Sequence, residues 1–195
     1  LENARKRMPV PEVLLPLAEM RVELRQIPQA VELYLELVQQ LQAAHEYAAA
    51  LQHLDTVIGL SPDDPELRLD RATVLMELDR MQEAAESYIA AASDYLQIRD
   101  TNAAIDCCHR ARDILPRAAE PHRLLAKAYL LDGQTDNAVV EYKSLWHSLL
   151  TTARPRKALH QLESILQEDC KYATVSEQVL NHARGSEAVK TASAV

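Results

Sequence analysis

Shortages in this sequence narrow its class before any motif is read. Of 195 residues only three are glycine and none is phenylalanine. Sheet proteins turn on glycine-bearing corners, so a β-sandwich or barrel fits poorly. Three cysteines, Cys107, Cys108 and Cys170, are too few for a disulfide framework and lack metal-ligand spacing. Reduced thiols in a cytoplasmic setting are the simplest expectation. Basic residues are outnumbered, 21 against 29 acidic, for a net charge of −8. That balance gives no general attraction to nucleic acid or anionic lipid. No apolar run reaches the ~20 residues that cross a bilayer, so no membrane insertion is expected. The opening LENARKR lacks the apolar core of a signal peptide and does not begin with Met. The chain is therefore expected to be a piece of a longer protein.

Catalytic motifs are also missing. Gly59, Gly133 and Gly185 stand alone, so there is no phosphate loop. No HExxH pattern and no recognisable nucleophile order occurs. Cys107-Cys108-His109 draws the eye, but successive helical residues point ~100° apart and cannot converge on one ion. The other histidines are scattered and read as surface or half-buried. These absences predict a protein that is not an enzyme and needs no cofactor or metal.

What the chain does have is helical periodicity. Apolar residues recur at helical spacing over about 11–25, 29–44, 47–60, 65–78, 81–98, 101–115, 119–132, 135–150 and 155–168, with a weaker helix at 173–183. Ser61-Pro62-Asp63-Asp64-Pro65 is a stop, a turn and a new start. Pro16 falls inside the first helix and either is tolerated there or shortens it. Residues 1–10 read as a flexible lead-in, and 184–195, with no apolar face, as a disordered tail.

A repeat underlies the helices. Ala30, Ala50, Ala84, Ala104, Ala138 and Ala158 are separated by 20, 34, 20, 34 and 20 residues, a period of 54. Tyr34, Tyr88 and Tyr142 keep the same step, as do Pro62 and Pro116. Each 54-residue module therefore holds three helices. The modules fall at about 30–83, 84–137 and 138–183, preceded by a partial one at 11–29.

The stretch Ala119–Thr152 shows what kind of repeat this is. Leu124, Leu125, Ala128 and Tyr129 make one helix, Asp132-Gly133-Gln134 a tight turn, and Ala138, Tyr142 and Leu145 a second helix. Ala126 and Ala138 permit close approach, Tyr129 and Tyr142 fill the space beside them, and Gly133 supplies the turn. This pattern resembles the tetratricopeptide repeat family. His122 stands where that family usually has Trp, and Leu150 where it has Pro. The resemblance implies an all-α, right-handed α-solenoid of about nine to ten antiparallel helices covering 11–183.

The resemblance also implies a function. Such repeats are interaction scaffolds, so a protein or peptide partner is expected on a helical surface. An alternative is a regulatory module of a larger signalling, transcriptional or pilus/motility protein. RNA binding by a related helical repeat fits less well with the charge and the 54-residue period. Arg123, Lys127, Lys143 and His147 fall at positions that often face the ligand groove in this family. Together they would form a basic stripe for an acidic partner. A solvated charged face is the plainer reading of the same residues. Trp146, the only tryptophan, is expected to pack against the last helices.

Overall fold

A computed structural model of the chain describes the backbone of residues 10–192 and the side chains of residues 13–186. All regular structure among the described residues is helical. The ten helices are α1 (Val10–Glu23), α2 (Ile27–Ala43), α3 (Tyr47–Leu60), α4 (Pro65–Glu77), α5 (Met81–Gln97), α6 (Thr101–Ile114), α7 (Ala119–Leu131), α8 (Thr135–Thr152), α9 (Pro155–Asp169) and α10 (Ala173–Ala192).

The 20/34 alternation of alanines has a backbone cause. Five residues before Ala30, Ala50, Ala84, Ala104 and Ala138 stand Arg25, His45, Asp79, Arg99 and Gly133, and these five have φ between 56° and 75°. Each ends a helix in the left-handed conformation. Its own N–H bonds the carbonyl three residues back, and the next N–H bonds five back, as in Arg99 to Leu96 and Asp100 to Tyr95. Those bonds satisfy carbonyls that a helix C-terminus leaves orphaned. A new helix begins at once. The N–H of each alanine closes its first turn, as Ala104 does on the carbonyl of Asp100 at 3.1 Å. All six alanines, Ala158 included, are fully buried. The alanines thus sit one turn inside each new helix, where a larger side chain would overpack the neighbouring helix.

Ala158 is preceded by a different corner. Pro155 opens α9, and Ala153 and Arg154 before it are extended. The residue before a proline is pushed out of the helical region, so the tight corner is not made there. The links α3–α4 and α6–α7 are longer loops containing Pro62 and Pro116. Asp64 caps α4 by accepting from the N–H of Glu66, and Asp100 caps α6 by accepting from that of Ala103.

The chain divides into two compact units, residues 1–91 and 92–195. In the first, α1 packs on α2, α2 on α3 and α3 on α4. Ala18, Tyr34, Val57 and Leu67 meet in its core. In the second, α6 packs on α7, α7 on α8 and α8 on α9, while α10 lies against both α8 and α9. Its core gathers Tyr142, Leu145, Trp146, Leu162, Val175 and Val179.

Of the two outcomes open for Pro16, helix α1 shows tolerance and continues through it. Two expectations need correction. Helix α2 begins at Ile27, with Pro28 in its first turn, where a missing N–H costs nothing. The segment 184–192 is helical and extends α10, although its sequence has no apolar period. Long-range bonds hold it: Trp146 Nε1 donates to Ser186 Oγ at 2.8 Å, and Arg184 pairs with Glu163 at 3.0 Å. Residues 1–9 of the expected lead-in and 193–195 of the expected tail lie outside the described residues.

Candidate functional site

The repeat positions come first, because they set where every other side chain points. Tyr34, Tyr88 and Tyr142 are all buried, at 5%, 5% and 0% exposure. Ala126 is fully buried and Tyr129 half-buried on α7. Tyr142 is the odd member of its set, because its hydroxyl lies in the core with no hydrogen-bond partner. Burial, and then the nearby Asp169 and Cys170, push that phenol well above its usual range.

The four candidate partner-binding residues do not form one stripe. Arg123 and Lys127 on α7 turn toward the end of α9. Arg123 makes a two-pronged contact with Asp169, Nε to Oδ2 at 2.6 Å and Nη2 to Oδ1 at 3.1 Å, with Glu168 at 3.2 Å beside it. Lys127 Nζ lies 3.7 Å from the same carboxylate, whose side chain is completely buried. The Asp169 hydrogen bond raises the guanidinium pKa further, against the opposing effect of burial. These two cations neutralise an internal acid and tie α7 to α9.

Lys143 and His147 on α8 turn elsewhere. The His147 ring lies 5.6 Å from that of His182 on α10, and its Nδ1 donates to the Lys143 carbonyl at 2.7 Å. Burial, then Lys143, then His147 lower the His182 pKa. The buried Nε2 of His182 has no partner. Trp146, one residue before His147, is sealed beneath α10 as expected.

A polar network that sequence reading missed joins α6, α7 and α8. His122, expected at the surface or half-buried, is buried and donates from Nδ1 to Glu141 Oε2 at 2.7 Å. The other oxygen of Glu141 accepts from Arg112 at 3.5 Å, and Arg112 donates to His109 Nδ1 at 2.7 Å. The only hint in the sequence was an imidazole in a position normally filled by a core aromatic. Cys107 and Cys108 lie buried on the same helix as Arg112. Burial, then Cys107, then Glu141 push the Cys108 thiol up to about 12, which suits a small core residue and not a nucleophile.

Two of the grooves among the described residues have mixed polar linings near the candidate residues and their counterparts. One of about 170 Å³ lies among α3, α4 and α5, bordered by Asp55, Arg68, Arg71 and Glu86. The other, about 360 Å³, lies between the α6–α7 loop and α8. Among the described residues no cluster of three or more potential metal ligands occurs, and no helix is long and apolar enough to cross a membrane.

Residues 41–97 match the family model of the tetratricopeptide repeat. Over that stretch the chain is similar to a tetratricopeptide repeat. The matched stretch takes in α3, α4, α5 and two of the left-handed corners. Tetratricopeptide repeats are typically protein–protein interaction scaffolds and generally non-catalytic. No curated protein matches the chain. Several solved structures of tetratricopeptide proteins do. MamA from Desulfovibrio magneticus RS-1 is 18% identical, with 80% of this chain and 96% of that one covered and a TM-score of 0.35. TTC0263, a thermophilic tetratricopeptide protein of Thermus thermophilus, is 20% identical, with 78% and 98% covered and a TM-score of 0.30. YrrB, described as a tetratricopeptide protein with an unusual peptide-binding site, is 13% identical, with 80% and 90% covered and a TM-score of 0.37.

Proposed function

We propose that this chain is a non-catalytic interaction scaffold that holds a protein or peptide partner on its helical-repeat surface. The observation that carries this reading is the tetratricopeptide match at 41–97, set in a repeat whose corners and buried alanines recur. A cytoplasmic setting fits three unpaired thiols.

The binding face we favour is that of α8 and the α6–α7 loop, not a stripe of all four basic residues. Arg123 and Lys127 are engaged with Asp169. His147 is exposed, and Lys143 has no ion pair among the described residues. An acidic partner would meet these two side chains without first breaking an internal pair.

A photo-crosslinking amino acid placed at His147, in the full chain, should join to a protein partner whose peptide is then read by mass spectrometry. The same reagent at Lys127 should join far less. Equal capture from both positions would remove the preference for α8. No specific adduct from either, nor from positions along α3 to α5, would sink the scaffold reading.

A further inference from the structure

The groove between the α6–α7 loop and α8 gathers polar groups that the fold itself does not use. It is lined by Pro116, Arg117, His122, Ser144, His147 and Ser148, and no carboxylate lines it. Both imidazoles are fixed at Nδ1, His122 by the Glu141 carboxylate and His147 by the Lys143 carbonyl. Each therefore keeps Nε2 as its uncommitted atom. Arg117 is exposed and has no ion pair among the described residues. The Ser144 hydroxyl is spent on the Val140 carbonyl at 3.2 Å, which leaves Ser148 as the hydroxyl donor.

The protein's own repeat provides a control. The positions 54 residues earlier hold Pro62, Asp63, Arg68, Ala90, Ser93 and Asp94. The module is built with either set, so packing does not demand the change. The later copy has Arg117 in place of an aspartate, Ser148 in place of another, His147 in place of a serine and His122 in place of Arg68. Both carboxylates are gone and cationic or hydroxyl groups stand in their stead.

We propose that this groove binds a phosphate monoester group. It offers a guanidinium and a hydroxyl as donors, and two oriented imidazoles whose Nε2 becomes a donor when the ring carries its second proton, a set larger than the two oxygens of a carboxylate can use. A phosphate has three acceptor oxygens and close to two negative charges at neutral pH. Arg117 supplies the planar, permanently charged fork that suits it, and Glu141 holds the His122 ring in place. Taken with the scaffold reading, on which this part rests, the group is a phosphorylated side chain on the partner. The same chemistry would accept free phosphate.

The test uses the full chain with 15N-labelled histidine side chains and no partner. Titration with inorganic phosphate at constant ionic strength should shift the Nε2 signals of His122 and His147 saturably. Arg117→Asp and His147→Ser restore the residues of the earlier copy, and each should weaken binding by at least ~10-fold. The shift of His122 reports in the second variant. A phosphoserine peptide binding more tightly than phosphate assigns the group to a partner chain, whereas equal binding assigns it to the free ion. A peptide with glutamate in place of phosphoserine that binds as well as the phosphopeptide would overturn the proposal. So would shifts that do not saturate, that sodium chloride reproduces, or that both variants retain. Since inorganic phosphate needs no partner, this failure would leave the scaffold reading standing, and a failed partner capture would leave the phosphate site standing.

Discussion

The same corner of the repeat is built in two opposite ways. In the first unit Arg71 on α4 donates to Asp55 on α3 at 2.7 Å and to Ser87 on α5 at 2.6 Å. In the second, Glu141 stands 54 residues after Ser87, and His109 54 after Asp55. There the acid is central and its hydrogen-bond donors surround it, Arg112 from α6 and His122 from α7. Exposure separates the two cases: the Asp55 side chain is 53% exposed and that of Glu141 only 12%. An exposed pair in water contributes little, while a buried one punishes the loss of either member. A repeat can thus keep its backbone and reverse its polarity, with most of the energetic consequence in the buried copy.

The largest test of this contrast is Glu141→Ala. It leaves Arg112 and His122 without their acid and should cost about 3–5 kcal/mol, read as lost hydrogen-exchange protection in α6 to α8. Protection unchanged there would mean that the buried network contributes nothing. Asp169→Asn attacks the second internal pair of the same unit. Loss of the charged partner of Arg123 should cost about 2 kcal/mol and loosen α9 from α7. The corners come next. Arg99→Gly should stabilise by roughly 1 kcal/mol, because the left-handed backbone no longer opposes a side chain, and Gly133→Ala should lose about as much. No atom lies near enough to clash with the added Cβ at Gly133, so backbone strain alone would be measured. Urea unfolding of both variants checks the pair. In the exposed corner Asp55→Ala should change stability by less than about 1 kcal/mol. A loss as large as that for Glu141→Ala would erase the distinction.

The smallest effect concerns pH. Folding lowers the His182 pKa, so the unfolded chain binds more protons than the folded one between that lowered value and about 6.5. Stability should therefore fall as pH drops through 6.5, and the loss should be complete once pH is below the folded pKa. The elements against His182 present Lys143 and His147 on α8, and both oppose its protonation. Emission from Trp146 should shift to the red as α10 loosens, and His182→Gln should flatten the response.

Local features were readable in the sequence, and distant partnerships were not. The alanine spacing of 20 and 34 marked five of the corners, because there a buried alanine sits five residues after the left-handed residue, while Ala158 follows the extended corner before Pro155. Helix ends followed from Pro62, Pro65, Pro116 and Pro155. The partner of Arg123 is Asp169, 46 residues away, and no periodicity links them. That is why two cations used inside the protein looked like half of a ligand stripe. The helicity of 184–192 escaped notice for the same reason, since its anchors Glu163 and Trp146 lie on other helices. Burial of His122 was half visible, as a polar residue in an aromatic's place, but Glu141 as its counterpart was not.

The three thiols differ in a way that experimenters can use. Cys107 and Cys108 are sealed in the core, and Cys170, at the bend between α9 and α10, is half-exposed. A maleimide dye applied to the unaltered protein should settle on Cys170 alone. A donor–acceptor pair with Trp146 would then exist without engineering, and its transfer efficiency would report each departure of the final helix from its seat.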